Sequence, residues 1–296
     1  MTVNRPSVVV RSKDKAGTIE QTLRGLREQT VETEVILVDS GSTDGTVEIA
    51  RPYCDQVLTV PASEFSYGGA LNLGARHAGG EIVFALSAHC VPASRQWVEW
   101  SLKAYSDDDV VGTMGGDRTP DGKVLTGPAR CCLPFPALRA DPTWGFSNHA
   151  SSWRRRAWER FPFNERLVSC EDKEWMWRVL AAGLCVVVDP RLCVASRHRR
   201  QAGVRALYKR VYREHLVLAE FLDYERPGVG KMLAKWWSDF PYGSRRPPWQ
   251  RRLSPWRTAE LLGEYVGDFV GSGRRGEHTL PVESWGLGPS AALPRS

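Results

Sequence analysis

EVILVDSGSTDGT, residues 34–46, places an unbroken apolar run directly before a polar turn rich in glycine and serine. Such runs are typical of strands buried on both faces, as in a parallel sheet covered by helices. Asp39 follows the run, and ligands of open α/β sheets bind beyond the carboxyl ends of strands. The stretch therefore predicts an α/β protein with a ligand site beside Asp39. The alternative is that Asp39 or Asp44 simply caps the next helix.

Strand and helix signals alternate on both sides of this stretch. Further strands are predicted over 7–10, 56–60, 81–86, 110–114 and 184–188, and helices from 18 and over 46–53, 66–78, 95–105 and 171–182. Thr18 is expected to form a capping box with Gln21. Residues 117–142 are rich in proline, glycine and charge, which indicates a loop-rich insertion. The alternation predicts a mostly parallel central sheet covered by helices.

The last third of the chain is basic and helical in pattern. Residues 191–275 contain 18 Lys and Arg against 8 Asp and Glu, a net charge of +10 in a chain whose total is +6. Such a surface fits phosphate groups, an anionic membrane or an acidic acceptor, and equally a solvated helical face. No recognised nucleic-acid motif accompanies the charge, so we expect no nucleic-acid partner.

The composition and the cysteines indicate a globular protein of a reducing compartment. Hydrophobic residues make up 42% and charged residues 25% of the 296 residues, which excludes disorder as the main state. The seven cysteines form no CxxC pair, and the adjacent Cys131 and Cys132 suit neither a simple disulfide nor a zinc site. No run approaches the roughly 20 apolar residues of a membrane span. We therefore expect a cytoplasmic protein.

Candidate chemistry lies at three further places in the chain. His89 follows the strand 81–86, Glu171 and Asp172 open a helix, and His198 lies in a basic run over 197–200. An imidazole at a strand end can bind a divalent metal that clamps a diphosphate, and a carboxylate can take a proton from a hydroxyl. Each place also has a structural alternative. These are a loop histidine, acidic residues stabilised by the helix dipole, and a plain basic surface.

Taken in order, these residues resemble the family 2 glycosyltransferases with the GT-A fold. The similar segments are 7–11, the turn within 38–46, 71–76 before Gly80, 86–89, and the Glu171–Asp172 pair. The resemblance covers roughly residues 6–200. It implies a catalytic domain over 1–202, with a donor half at about 6–92 and an acceptor half at about 93–202. A basic helical extension over 203–272 and a flexible tail over 273–296 would follow.

The resemblance also implies roles for individual residues. Asp172 matches the catalytic base, with Glu171 beside it, in an inverting single displacement at the anomeric carbon. The implied donor-binding residues are Arg11, Ser12, Asp39, Ser40, Ser42, Asn72, Arg76, Ser87 and Ala88. The implied acceptor residues are Trp144, Asn148 and His149. Trp153 could also stack on a sugar, although aromatic packing in the core is the stronger expectation for any one of the twelve tryptophans.

One strand end departs from the usual pattern of the family. Both aspartates of the Asp-x-Asp metal motif are replaced, because Ser87, Ala88 and His89 occupy the position. This arrangement resembles a rhamnosyltransferase-like branch. His198 matches a histidine that often completes the metal site. His89 and His198 would then hold Mn²⁺ or Mg²⁺, and imidazole suits Mn²⁺ better.

The implied partners are a nucleotide-diphospho-sugar donor and a carbohydrate, lipid-linked or small-molecule acceptor. The C-terminal helices would rest peripherally on the inner membrane face or form a homodimer contact. One alternative is a non-catalytic protein that binds a sugar nucleotide or carbohydrate. A sugar-1-phosphate nucleotidyltransferase fits less well, since the loop 12–17 contains one glycine. A dinucleotide-dependent dehydrogenase is disfavoured because GxGxxG is absent after the first strand.

Overall fold

The computed structural model describes residues 5–116, 123–132, 144–196, 203–221, 227–238 and 254–274. These residues form two compact units. The first unit contains the described residues up to Glu165 and from Glu171 to Ser196. The second contains Arg166–Cys170 and the described residues from Gly203 onward.

The first unit is built on a large sheet. Its described strands are β1 (Ser7–Ser12), β2 (Glu34–Asp39), β3 (Gln56–Thr59), β4 (Ile82–Ser87), β5 (Cys90–Pro92), β6 (Val110–Met114), β7 (Ala129–Cys131), β8 (Ala150–Arg154), β9 (Cys185–Val188) and β10 (Val194–Ser196). The sheet order is β3-β2-β1-β4-β8-β6-β9-β7, and β5 pairs separately with β10. Only β7 and β8 run against the other strands of this sheet as described. The prediction of a mostly parallel sheet is confirmed.

Helices pack around this sheet and make up most of the second unit. In the first unit they are α1 (Ile19–Arg27), α2 (Thr46–Ala50), α3 (Tyr67–His77), α4 (Trp97–Lys103), α5 (Arg155–Arg160) and α6 (Glu171–Ala181). In the second unit they are α7 (Val204–Phe221), α8 (Val229–Ser238) and α9 (Pro255–Gly271). Short 3-10 turns follow α2 and α4 and precede β10.

The register of the parallel strands brings their ends to one side of the sheet. Ser12 pairs with Asp39, Arg11 with Ser87, and Asp39 with Thr59. Neighbouring strands lie about 4.8 Å apart, so the ends of β2 and β4 are roughly 10 Å from each other. We call this side of the sheet, marked by Ser12, Asp39 and Ser87, the carboxyl edge.

Helix α3 approaches β1 more closely than a side chain would allow. A Cβ atom added at Gly74 would lie 2.7 Å from Cγ2 of Val9, a fully buried residue. The hydroxyl of Ser66 caps this helix by accepting a hydrogen bond from Gly69 N–H at 3.0 Å. The close packing fixes where the start of α3 lies relative to the end of β1.

Two local predictions are wrong. No side-chain cap is formed at Thr18, whose hydroxyl instead donates to the carbonyl of Ala88 at 2.9 Å. The sequence also predicts that the adjacent Cys131 and Cys132 suit no simple disulfide. Cys132 nevertheless forms a disulfide with Cys185, because the antiparallel register of β7 and β9 places the two residues opposite each other. Strand β7 lies in the stretch expected to be loop. The rest of that stretch, 117–122 and 133–142, falls largely outside the described residues.

The second unit contains a close pair of helices, α7 and α9. Three glycines of α9, Gly263, Gly267 and Gly271, face α7, and a Cβ atom added at Gly267 would lie 2.7 Å from the carbonyl oxygen of Tyr212. Ser169, just before α6, belongs to this unit and donates its hydroxyl to the carbonyl of Arg213 at 3.0 Å. In the parts of the chain that are described, no helix has the length and apolar composition needed to cross a bilayer.

The contact at Gly74 makes a testable prediction about stability. Gly→Ala in a helix normally stabilises by about 1 kcal/mol, but here the new methyl group would collide with Val9. We expect Gly74→Ala to destabilise the fold by roughly 1–3 kcal/mol. Chemical denaturation measures this, and adding Val9→Ala should recover part of the loss. Gly17→Ala is the control, since its added Cβ atom meets nothing within 4 Å.

An unchanged or higher unfolding midpoint for Gly74→Ala would show that α3 and β1 are not in this contact.

Candidate active site

The turn after β2 is organised around the carboxylate of Asp39. One oxygen accepts hydrogen bonds from the hydroxyls of Ser12 and Ser42, each at 2.6 Å, and the other accepts the backbone N–H of Ser42 at 2.7 Å. Asp39 is 1% exposed. Three of its roughly four acceptor positions are therefore used inside the protein. The turn also needs Gly41, whose φ is +77°.

Neighbouring polar side chains stabilise this turn by donating hydrogen bonds to backbone carbonyls. The hydroxyl of buried Ser40 donates to the carbonyl of Ser12 at 2.9 Å, and Lys13 Nζ donates to the carbonyls of Ser40 and Gly41, each at 2.9 Å. Hydrogen bonds from the Thr46 hydroxyl and then from the Ala16 N–H hold the pKa of Asp44 below its usual value. Asp44 also accepts the N–H of Thr46, the first residue of α2. Asp44 thus bonds to the first residue of α2 from one position before the N-cap, Gly45, where no side-chain cap is formed.

The end of β4 is joined to the segment before β8. The N–H of Ser87 donates to the carbonyl of His149 at 3.0 Å, and that of Ala88 donates to the carbonyl of Arg11 at 3.2 Å. Ala88 is buried, whereas Ser87 and the adjacent His89 are partly exposed. The first of these bonds places the segment that contains His149 at the carboxyl edge.

Asn148 is the centre of a hydrogen-bond network that reaches α6. Its N–H donates to Asp172 Oδ2 at 3.1 Å, and its carbonyl accepts from Arg11 Nη2 at 3.2 Å. Its side-chain amide donates to Glu171 Oε1 at 3.4 Å and accepts the Ser151 hydroxyl at 3.2 Å. Four predicted site residues, Arg11, Asn148, Glu171 and Asp172, therefore meet at one place.

The two carboxyl groups at the start of α6 have different surroundings. Glu171 is buried and lies 3.5 Å from Arg11 Nη1. Burial, and then the charge of Asp172, raises the pKa of Glu171 to about 7, against the opposing effect of Arg11. Asp172 is partly exposed, and its Oδ1 accepts the N–H of Lys173 at 2.8 Å. Of the two carboxylates, Asp172 is the one that an incoming hydroxyl can reach.

An aromatic cluster holds α6 in this position. The ring centroid of Trp175 lies 4.8 Å from that of Phe146 and 5.7 Å from that of Phe163. The indole N–H of Trp175 donates to the carbonyl of Phe161 at 2.7 Å. Trp153 packs edge-on against Phe163 and is fully buried, so it has no surface to offer a sugar.

Two predicted donor residues do not belong to the carboxyl edge. The amide of Asn72 makes four hydrogen bonds, to Trp158, Glu165 and twice to the backbone of Phe163. Arg76 lies in the last turn of α3 and pairs with Glu165 at 3.8 Å. That turn adjoins the starts of the strands, because His77 O accepts a hydrogen bond from Gln56. Both side chains are thus engaged by residues of the same unit, and their assignment to the donor stays a prediction.

The remaining predicted residues are placed less fully. His149 is exposed, and its Nδ1 lies 2.6 Å from the Ser147 hydroxyl. Trp144 is partly buried at the beginning of the segment that leads to Asn148. His198, with the basic run 197–200, lies outside the described residues.

Tyr67 is a site residue that the sequence interpretation missed. Its ring covers the guanidinium of Arg11 at 5.3 Å, and its side chain is 40% exposed. A cation beneath an aromatic face is stabilised by the ring quadrupole. The available signal was an aromatic residue in the first turn of a helix that begins at the carboxyl edge.

Two places in the described residues bear on metal binding. At the carboxyl edge, His89 offers an imidazole of the kind that transition ions prefer. In the second unit, ligand atoms of His215, Glu264 and Asp268 lie within 4.8 Å of one another. His215 Nδ1 is 2.9 Å from Asp268 Oδ1. This second cluster belongs to the α7–α9 pair and not to the carboxyl edge.

The chain matches the family model for glycosyl transferase family 2 over residues 7–157, about half of its length. The chain belongs to this family. The matched range begins at β1 and ends in α5, so it contains the Asp39 turn, the β4 end and Asn148.

Sequence relatives agree with the family over part of their lengths. The chain is 33% identical to the glycosyltransferase AglE of Haloferax volcanii, over 36% of this chain and 38% of that protein. It is 29% identical to the O-antigen chain rhamnosyltransferase WbaN of Salmonella anatum, over 28% of this chain and 27% of that protein. The chain thus spans well under half the length of these two relatives.

The fold is that of a solved mannosyltransferase. The structure of PcManGT from Pyrobaculum calidifontis, in complex with GDP-Man and Mn²⁺, superposes with a TM-score of 0.57. The identity is 20%, and the match covers 91% of this chain and 73% of that one. The predicted GT-A fold is confirmed.

The burial of Glu171 makes a prediction about pH. The folded-state pKa of about 7 lies above the ordinary 4.5, so the folded protein binds a proton here more tightly than the unfolded chain. This contribution to stability is complete below about pH 4.5 and is lost as the pH rises to about 7. Because Gln resembles the protonated acid, Glu171→Gln should gain stability relative to the parent between pH 5 and pH 8, by at most about 3 kcal/mol.

Urea denaturation at both pH values tests this, with the exposed Glu159→Gln as control. Equal pH dependence of the parent and Glu171→Gln would contradict the burial of an acid at this position.

Proposed function

We propose that this chain is an inverting glycosyltransferase that moves a sugar from a nucleotide-diphosphate donor to an acceptor hydroxyl. The observation that carries the proposal is the position of Asp172. It is a partly exposed carboxylate, fixed by the N–H of Asn148 and joined through this segment to the end of β4. Family membership and the likeness to PcManGT, whose structure contains GDP-Man, support the proposal.

The donor would lie along the carboxyl edge. Asp39, Ser12 and Ser40 build the turn after β2 from within, and the partly exposed Ser42 and Ser87 present polar groups along the same edge. Backbone N–H groups and hydroxyls in such turns suit a ribose or a phosphate. In this proposal Asp39 acts mainly by shaping the turn, with one acceptor position left for the nucleoside.

Asp172 would act as the general base. Its carboxylate would take the proton of the acceptor hydroxyl, whose oxygen attacks C1 of the donor sugar from the face opposite the diphosphate. The new bond is C1–O of the acceptor, and the bond that breaks is C1–O of the diphosphate. General-base assistance of this kind contributes about 10²- to 10⁴-fold to the rate.

His89 and His198 would hold a divalent metal, Mn²⁺ more readily than Mg²⁺. A metal there would offset the negative charge of the leaving diphosphate. The imidazole of His89 follows β4 at the carboxyl edge, which is compatible with this role, and PcManGT was solved with Mn²⁺. We further propose the rhamnosyltransferase-like branch, which the similarity to WbaN supports over a short stretch.

The two compact units support a proposal for the domain organisation, although Arg166–Cys170 of the second unit lies within the range proposed for the catalytic domain. We propose that the first corresponds to a catalytic domain over 1–202, with donor and acceptor halves that meet at about residue 92, and the second to a basic extension over 203–272. We propose a cytoplasmic location, although the Cys132–Cys185 disulfide favours an oxidising compartment. We also propose a carbohydrate, lipid-linked or small-molecule acceptor.

The rival function is a non-catalytic protein that binds a sugar nucleotide or a carbohydrate. The loss of the acidic metal motif favours it, whereas the reachable Asp172 beside buried Glu171 favours the enzyme. Release of nucleotide diphosphate from UDP-, GDP-, dTDP- and CDP-sugars with Mn²⁺ separates the two. Tight nucleotide binding without release, at every acceptor tried, would establish the binding protein.

Replacement of Asp172 tests the mechanism. Asp172→Asn keeps an acceptor for the Asn148 N–H but cannot take a proton. We expect kcat to fall about 10²- to 10⁴-fold, with the nucleotide-induced rise in melting temperature nearly unchanged. Asp108→Asn, an exposed carboxylate paired with Arg156, is the matched control.

A collapse of nucleotide binding in Asp172→Asn, with the control unaffected, would place Asp172 in the donor site and remove it as the base.

The second unit suggests peripheral membrane contact. Trp256, Leu262 and Phe269 of α9 are exposed, and α7 carries the exposed basic residues Arg205, Lys209, Arg210 and Arg213. Exposed apolar and basic groups together favour an anionic lipid surface. We expect the protein to co-sediment with phosphatidylserine-containing vesicles, less so at high salt, and Leu262→Ser with Phe269→Ser to weaken binding.

Vesicles of phosphatidylcholine alone are the control. If the same double substitution leaves vesicle binding unchanged but lowers the sedimenting mass in solution, the exposed face of α9 is a homodimer contact instead.

A further inference from the structure

We propose that Arg11 and Glu171 are positioning residues that hold Asp172 in place, and that Arg11 is not a donor ligand. The inference rests on the proposed function, because it concerns the geometry of the proposed base. It replaces two expectations from the sequence, in which Arg11 contacts the donor and Glu171 is a second catalytic carboxylate.

Arg11 makes its contacts with Glu171, Asn148 and Tyr67. Nη1 lies 3.5 Å from Glu171 Oε1, and Nη2 donates to the carbonyl of Asn148 at 3.2 Å. The ring of Tyr67 covers the guanidinium at 5.3 Å. Both terminal nitrogens are thus engaged by the acceptor side of the site, 137 and 160 residues along the chain.

Burial makes these contacts hard to exchange for a phosphate. The side chain of Arg11 is 14% exposed and that of Glu171 is 6% exposed. If Arg11 turned to a donor phosphate, the buried Glu171 would lose its ion pair and the cation that opposes the rise of its pKa. Breaking a buried pair in this way is strongly destabilising. A residue that binds the donor should instead be able to contact the diphosphate without breaking an ion pair within the protein.

Asn148 transmits the effect of this pair to the base. Its carbonyl is held by Arg11, its amide by Glu171, and its N–H by Asp172. Removing either Arg11 or Glu171 frees one side of Asn148, and its N–H then no longer fixes Asp172 Oδ2. Misplacement of a catalytic group by about 1 Å can cost 10²-fold in rate.

The same arrangement ties the base to the donor turn. Ser12, the residue after Arg11, donates its hydroxyl to Asp39 at 2.6 Å. Two consecutive residues at the end of β1 therefore have different roles in this proposal. Ser12 supports the turn after β2, and Arg11 supports the position of Asp172. A fixed distance between donor and base follows from this one strand end.

A double-mutant cycle tests the inference. We would compare Arg11→Met, Glu171→Leu and the combined variant, with Arg11→Lys as the conservative substitution and the exposed Arg156→Met as control. We expect each single change to lower kcat by roughly 10- to 100-fold, with donor KM within about threefold of the parent. The kcat of the combined variant should be no lower than that of the less active single variant, since both residues belong to one hydrogen-bond network. Arg11→Lys should recover part of the rate.

Amide hydrogen exchange provides a second readout that does not need turnover. The Asn148 N–H should exchange faster in Arg11→Met and in Glu171→Leu, and at the parent rate in Arg156→Met. Global stability from denaturation would be measured in each variant, so that local loosening is separated from unfolding.

The inference is overturned if Arg11→Met raises donor KM tenfold or more while kcat stays at the parent value, or if Asn148 exchange is unchanged in both variants. If the parent protein releases no nucleotide from any sugar donor, while Asn148 exchange rises as expected, the proposed function fails and the positioning contacts remain.

Discussion

The hydrogen bonds around Asn148 are the constraint on which the site depends, because they join two parts of the fold that are built independently. The parallel strands β1–β4 would form the carboxyl edge without any help from α6. Helix α6, in turn, is placed by its aromatic cluster with Phe146 and Phe163. Asn148 bonds to residues of both, Arg11 on the strand side and Asp172 on the helix side. A reaction between a bound donor and an incoming hydroxyl needs this fixed relation.

Two adjacent carboxyl groups at one helix start would ordinarily repel each other, and the structure separates their tasks by environment. The start of a helix favours negative charge, which lowers the cost of having both there. Glu171 is turned inward, where burial raises its pKa to about 7 and Arg11 opposes that rise. Asp172 is turned outward and stays reachable. Similar pairs of acids reach different roles in this way when their surroundings differ.

The sequence was sufficient where structure depends on local pattern. The apolar runs predicted β1 to β4, and the strand-end rule predicted that Asp39 and His89 lie at the carboxyl ends of their strands. It failed at β8, which is not among the strands predicted from the apolar runs and which contains the polar Ser151 and Ser152. In the structure, the Ser152 hydroxyl lies within 2.7–2.8 Å of those of Ser101, Tyr105 and Thr113, a buried network that no local pattern reveals. Asn72 shows a related limit, since a linear motif does not show which partners already occupy a side chain.

The hydrogen bonds that Lys13 and Arg11 make within the protein limit how the charge of a diphosphate could be neutralised. Of the described cations next to the turn after β2, Lys13 donates to two backbone carbonyls and Arg11 to Asn148 and Glu171. Releasing either would cost hydrogen bonds that hold the edge together. The charge of a leaving diphosphate would then be neutralised best by cationic groups that are not already needed to hold the fold together. Ser87 and His89 occupy the positions where the family usually has aspartates, which is consistent with this. Fewer fixed negative charges at the carboxyl edge leave less total negative charge to neutralise when the diphosphate leaves.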